Sequence, residues 1–171
     1  GIAARHITAV TFTNKAAREM RERVGRILQG PEARGLSIST FHTLGLNIIR
    51  KEHRSAGLKS SFSIFDSQDA EALIRDLLIQ SHGSDGDQSK VIQQRISHWK
   101  NELITPPQAQ AQAEDASDVL ASAAFQRYEE ALRAYNAVDF DDLIGLPVHL
   151  FRDHPEVLER WQKKIGRASC R

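Results

Sequence analysis

The sequence predicts an α/β fold that is predominantly helical: a partial parallel sheet near the start, then a run of helices. Two observations carry this. "HITAVTFT" (His6–Thr13) and "LSIST" (Leu36–Thr40) are short runs rich in β-branched residues, and each passes at once into a helical pattern. After about Gly57 the period-two signal fades and apolar residues recur at helical spacing.

The first strand is expected to be buried and to end at Thr13 or Asn14, whose short side chains can accept from the free amides of a helix's first turn. The helix that follows, Lys15 to Gln29, places Ala16, Met20, Val24, Ile27 and Leu28 on one face, and Gly30-Pro31 should stop it. The second strand runs into "FHTLGLNIIRKEH", where Leu44, Ile48 and Ile49 mark another amphipathic helix. Strand, helix, strand, helix with short joints argues for parallel strands and right-handed crossovers. Ligands of such sheets sit at the carboxyl ends of the strands, here Thr13-Asn14-Lys15 and Thr40-Phe41-His42.

Beyond Gly57 one brief strand, "SFSIF" (Ser61–Phe65), precedes three apolar stripes. These are Ala70, Leu73, Ile74, Leu77 and Leu78; Ile92, Ile96, Trp99 and Leu103; and Leu120, Ala124, Tyr128, Ala131 and Tyr135. "SHGSDGDQS" (Ser81–Ser89) and "TPPQAQAQAEDAS" (Thr105–Ser117) read as polar, mobile linkers of a helical subdomain. Asp139 should cap a stretch that Pro147 bends or ends, and Pro155 should open a last helix through Trp161 and Ile165.

The net charge of +1 hides a division. Residues 1–60 carry 11 Lys and Arg against 4 Asp and Glu, a balance of +7, and residues 61–171 carry 12 against 18, a balance of −6. The first third is the candidate surface for a polyanion, a solvated helix face being the alternative. No apolar run approaches the ~20 residues of a membrane span, and no secretory leader is apparent, so a cytoplasmic protein is the default expectation. The single cysteine, Cys170, can form no internal disulfide.

A phosphate loop needs a Gly-Lys pair, because backbone amides and one lysine must converge on the phosphates. No glycine here precedes a lysine, so Lys15 is not a phosphate-loop lysine. Asp139, Asp141 and Asp142 could hold a hard metal, although helix capping explains them more simply. His42 and His53 have no carboxylate at ligand spacing, and His149 and His154 read as surface groups. Phe12 and Phe41 stand beside hydroxyl, amide and basic side chains at the two strand exits. Aromatic faces stack bases while such groups hold phosphate oxygens, and burial in the core is the competing reading.

At these residues the chain resembles a known family. "AVTFTNKAAREMRERV" (Ala9–Val24) is similar to motif Ia of the UvrD/PcrA/Rep-type superfamily 1A DNA helicases, "STFHTLGLNIIR" (Ser39–Arg50) to motif Ib, and "DFDDLI" (Asp139–Ile144) to the acidic motif after their helical 1B insertion. "ISHWKNEL" (Ile96–Leu103) resembles a stretch within 1B, and the order and spacing fit the Rep-type members best. The resemblance implies a RecA-like domain 1A over residues 1–56, a helical 1B over 57–138, a return to 1A over 139–165, and a tail at 166–171, "GRASCR", outside the family pattern.

It further implies an ATP- and Mg2+-dependent enzyme that translocates 3′ to 5′ on single-stranded DNA and unwinds duplex at single-/double-strand junctions. Phe12, Thr13, Asn14, Lys15, Thr40, Phe41 and His42 would line the DNA track, and Lys100 and Asn101 would approach duplex from 1B. The family's phosphate loop, its Asp-Glu-x-Gln motif and the arginines of motor domain 2A have no counterpart in these 171 residues. The chain is accordingly expected to be an internal piece of a helicase that retains weak single-strand binding, without catalytic, cofactor or metal residues of its own. Two other readings are a helical protein–protein interaction module built on the part after Gly57, and a metal nuclease using Asp139 and Asp142.

Overall fold

The structure is a computed structural model that describes Ala4 and residues 7–28, 35–82 and 88–165. The expected stop at Gly30-Pro31, the middle of the 81–89 linker and the "GRASCR" tail with Cys170 lie outside the described residues. The chain divides into two compact units, one of Gly1–Ser55 with Leu146–Arg171 and the other of Ala56–Gly145.

The first unit opens with β1 (Thr8–Thr11), α1 (Asn14–Ile27), β2 (Ser37–Thr40) and α2 (Phe41–Lys51). The two strands pair in parallel, Thr8 opposite Ser37 through Thr11 opposite Thr40, as the strand-helix-strand pattern requires. β1 is shorter and less buried than expected, with all four residues only partly covered. Its end is set by Thr13, whose Oγ1 accepts from the Ala16 amide at 3.1 Å and commits the chain to α1. Thr40 repeats the device, accepting from the Thr43 amide at 3.1 Å. On α1, Ala17 is the buried residue, whereas Ile27, expected on the inner face, is 79% exposed at the helix end.

α8 (Pro155–Ile165) supplies Val157 and Trp161 to this unit's buried set, with Ile38, Ile48 and Ile49. Glu52, the C-cap residue of α2, is buried and accepts at 3.0 Å from the Trp161 indole N–H and at 2.9 Å from Arg160, while the Lys51 ammonium lies 5.6 Å from the Trp161 ring centre. One carboxylate thus joins the end of α2 to α8.

The second unit contains β3 (Ser63–Phe65), α3 (Ser67–His82), α4 (Ser89–Asn101), α5 (Pro106–Ala111), α6 (Ala116–Ala134) and β4 (Ala137–Asp139), and α7 (Asp142–Asp153) begins there. β3 and β4 form a second parallel pair, Ser63 opposite Ala137 and Phe65 opposite Asp139. β4 was not expected. It is reached through Asn136, at a positive φ of 50°, whose carbonyl accepts from the Ser63 amide.

Ala70, Ile74, Leu78, Ile92, Ile96 and Trp99 lie in one core with Trp99 stacked on Phe125 at 5.8 Å, so the first stripe packs as its spacing predicts and the second does so up to Trp99, whereas Leu103 falls beyond the end of α4 at a positive φ of 59° and outside that core. The third needs correcting: the buried face of α6 is Ala121, Ala124, Phe125, Tyr128 and Leu132, and Tyr135 is 62% exposed. The 105–117 stretch is not a linker. Thr105 and Gln108 close a capping box, proline occupies the first helical turn, and Ala109 is fully buried. Nor does Pro147 end its helix, for α7 continues to Asp153, the buried ring offsetting part of the one backbone bond that proline forfeits. No helix among the described residues is long and apolar enough to cross a membrane.

The clamp at Glu52 yields a stability prediction. Glu52→Ala should lower the urea unfolding free energy by about 1–3 kcal/mol, since it removes the acceptor that Arg160 and the indole share, and Glu52→Gln should lose less because it keeps one. Equal losses in the two variants would argue against this role.

Candidate nucleic-acid interface

Both strand-to-helix joints of the first unit lie at one edge of the parallel pair, because Thr11 and Thr40 are register partners and each is followed at once by a helix N-terminus. The residues singled out from the sequence therefore gather there. Phe12 and Phe41 meet with ring centres 5.2 Å apart and planes tilted by 42°. Phe12 is 83% exposed and Phe41 39%, so the core reading fails for Phe12 and holds only in part for Phe41. An exposed aromatic pair costs solvation unless something covers it, and a flat base is a suitable cover.

Thr13, Asn14, Lys15 and His42 are exposed around the rings, while Thr40 is buried and holds the Thr43 hydroxyl at 3.0 Å. Thr40 thus shapes the edge through the α2 cap. The dipoles of two helix N-termini also favour negative charge at this edge.

Lys100 and Asn101 are placed differently. The Lys100 ammonium is buried within 2.8 Å of Asp139, 2.8 Å of Asp142 and 2.9 Å of Glu129, and the Tyr128 hydroxyl donates to the same Asp139 oxygen at 3.0 Å. Lys100 is therefore an internal counter-ion, and a duplex phosphate would have to displace three carboxylates to reach it. Asn101 donates at 2.8 Å to the Ser97 carbonyl and at 3.0 Å to Asp141. Sequence reasoning missed this cluster, whose only local sign is the acidic run after Val138.

The same geometry decides between the readings of the aspartates. Asp139 accepts from the Asp142 amide at 2.8 Å and Asp142 from the Asp139 amide at 3.1 Å, a reciprocal cap on α7. Their remaining oxygens face Lys100. Among the described residues no group of three His, Cys, Asp or Glu is arranged to hold a metal ion. His53 contacts the Arg50 carbonyl, His149 contacts Arg152, and His154 lies 3.3 Å from Glu156.

Three carboxylates against one ammonium leave excess negative charge in a dry site. Burial pushes Asp142 up to about 7; Lys100 opposes that rise, and Asp139 and Glu129 add to it. Burial alone would lower Lys100, yet Asp142, Asp139 and Glu129 hold it well above its ordinary value. Burial also raises the Tyr128 hydroxyl, and the charge of Asp139 raises it further.

An exposed aromatic pair thus lies at the carboxyl edge of parallel strands, set among helix N-termini and cationic side chains, in an α/β unit of a chain whose other unit is mainly helical. The model of the UvrD/REP helicase N-terminal domain matches residues 1–168, and the chain belongs to that family. It is 52% identical over 168 residues to the ATP-dependent DNA helicase Rep of Salmonella typhimurium strain LT2 and 51% identical over 168 residues to that of Escherichia coli K12, covering in each case 96% of this chain and 24% of the relative. Identity to the ATP-dependent DNA helicase PcrA of Staphylococcus aureus strain Mu50 is 38% over 161 residues, covering 94% of this chain and 22% of that protein. The chain thus spans about a quarter of the length of these relatives.

The raised Asp142 predicts a pH dependence. In the unfolded chain this acid ionises near its ordinary 3.8, in the folded chain near 7, so between those values the native state holds the extra proton. Its contribution is full below about pH 4 and is lost as pH rises towards 7. Relative to Asp142→Asn, the native chain should lose stability across that window at up to about 1.4 kcal/mol per pH unit and level off above it. A wild-type–variant difference in urea midpoint that stays constant from pH 4 to 8 would contradict the assignment.

Proposed function

We propose that the chain is part of an ATP-dependent DNA helicase of the Rep type, one that translocates 3′ to 5′ on single-stranded DNA and unwinds duplex in replication or repair. In this reading residues 1–56 and 139–165 belong to a RecA-like domain 1A and residues 57–138 form the helical 1B insertion. The polarity and the duplex junction as substrate follow from the family resemblance, as does the partnership with a second motor domain, 2A. Support comes from family membership and from the relatives, which are ATP-dependent DNA helicases Rep and PcrA.

The observation that carries the reading is the exposed Phe12–Phe41 pair. Bases of a single strand stack on the rings, while Thr13, Asn14, Lys15 and His42 meet the sugar-phosphate chain and Thr40 fixes the joint. None of these contacts reads base identity, as a motor that tracks along arbitrary sequence requires.

ATP and Mg2+ are not matched by the residues present: no glycine precedes a lysine, and the described residues offer no metal cluster. Nucleotide and metal chemistry in the whole protein would be supplied by residues other than these 171, and the chain's own share is to hold the strand. The Lys100 cluster favours a structural role for the Asp139 motif over the nuclease alternative, because its carboxylates are already committed to an ammonium and to helix amides.

Anisotropy with a labelled oligonucleotide tests the strand contact. Binding should fall steeply with salt, and Phe12→Ala should weaken it by about 1–3 kcal/mol, the worth of one stacked base. His42→Ala should weaken it less. Salt-independent binding, or none at low salt, would favour a helical protein-interaction module instead. Magnesium-dependent ATP turnover by the 171-residue chain should not exceed a blank, and turnover that survives repurification would refute the assignment of nucleotide chemistry to other residues.

A further inference from the structure

Beside the aromatic pair, a groove runs between α1, β2 and the start of α2, lined by Asn14, Lys15, Arg18, Arg21, Thr40 and Thr43 among others. Its lining includes three cationic side chains and no carboxylate, although α1 also carries Glu19 and Glu22. Lys15, Arg18 and Arg21 recur every third residue, so they stay close to one flank and span about 9 Å along the helix axis. Arg21 is anchored, one guanidinium nitrogen donating to the Ile38 carbonyl at 2.9 Å, which leaves its other N–H groups to face a ligand.

We propose that this groove holds backbone phosphates of the single strand whose bases stack on Phe12 and Phe41, with Arg18 and Arg21 as phosphate ligands alongside Lys15. The inference rests on the strand-binding reading and extends it to a side of α1 that the strand-exit residues do not reach. Like charges held a turn apart on a helix repel one another, and a bound polyanion relieves that repulsion. Guanidinium groups offer paired N–H donors to phosphate oxygens, and the Asn14 amide and Thr43 hydroxyl add uncharged donors without reading sequence.

An oligomer of abasic deoxyribose phosphates separates the groove from the rings, since it offers phosphates and nothing to stack. Titrated into the isotopically labelled chain at low salt, it should shift the Arg18, Ser39 and Thr43 amides saturably. The shifts should disappear in Arg18→Glu, an exposed position at which folding is not at stake, and in Arg18→Ala/Arg21→Ala, but persist in Phe12→Ala. With an ordinary oligothymidylate, the double variant should show a salt slope shallower by about 1.4, the release expected for two phosphates on a single strand. Absent shifts, shifts that survive Arg18→Glu, or an unchanged slope would each overturn the groove. If Phe12→Ala leaves oligothymidylate binding intact while the abasic titration succeeds, the stacking reading fails and the phosphate groove stands.

Discussion

One ammonium organises the helical unit. Lys100 on α4 is ion-paired with Glu129 on α6, Asp139 at the end of β4 and Asp142 at the start of α7, so four elements meet at a single nitrogen. A buried pair gives little net stability against a well-packed apolar core, but removing one partner is costly because uncompensated charge remains. Such a cluster therefore specifies an arrangement more than it strengthens one. Around it the geometry is tightly determined: Tyr128 donates to Asp139, Asn101 donates to Asp141, and the reciprocal Asp139–Asp142 cap starts α7.

The edge proposed to bind the strand is built differently. A threonine ends each strand and caps each helix, so two parallel strands in register deliver two helix N-termini, two aromatic rings and a set of basic side chains to one edge. Little of this needs long-range contact. The edge is set by short joints, while the helical unit is set by pairings across as many as 77 residues, the separation of Lys59 and Asn136.

That contrast explains what could be read in advance. The β1–α1 and β2–α2 joints were legible because capping and strand propensity act over three or four residues, and the parallel pairing followed from connection length. The setting of Lys100 was hidden because a lysine on a polar-looking helix gives no local sign that three carboxylates far along the chain will surround it. α5 was hidden by composition: proline, glutamine and alanine suggest a linker, yet Thr105-x-x-Gln108 carried the capping signal in plain view. β4 is three residues long, shorter than any periodicity can announce. Ile27 and Tyr135 kept helical phase with their stripes but fall at helix ends, where phase no longer ensures cover.

The exposed ring of Phe12 has a further consequence, in colloidal terms. A face that releases water when covered does not distinguish a base from the same ring on a second copy of the chain, so concentration sets base stacking against self-association. The cations beside it distinguish the two: they repel another copy of this edge and attract a polyanion. Salt weakens both effects together, so a condition that would loosen a bound polyanion also lessens the repulsion between chains. The basic flank thus guards its own aromatic surface, and a strand bound there as proposed would oppose self-association.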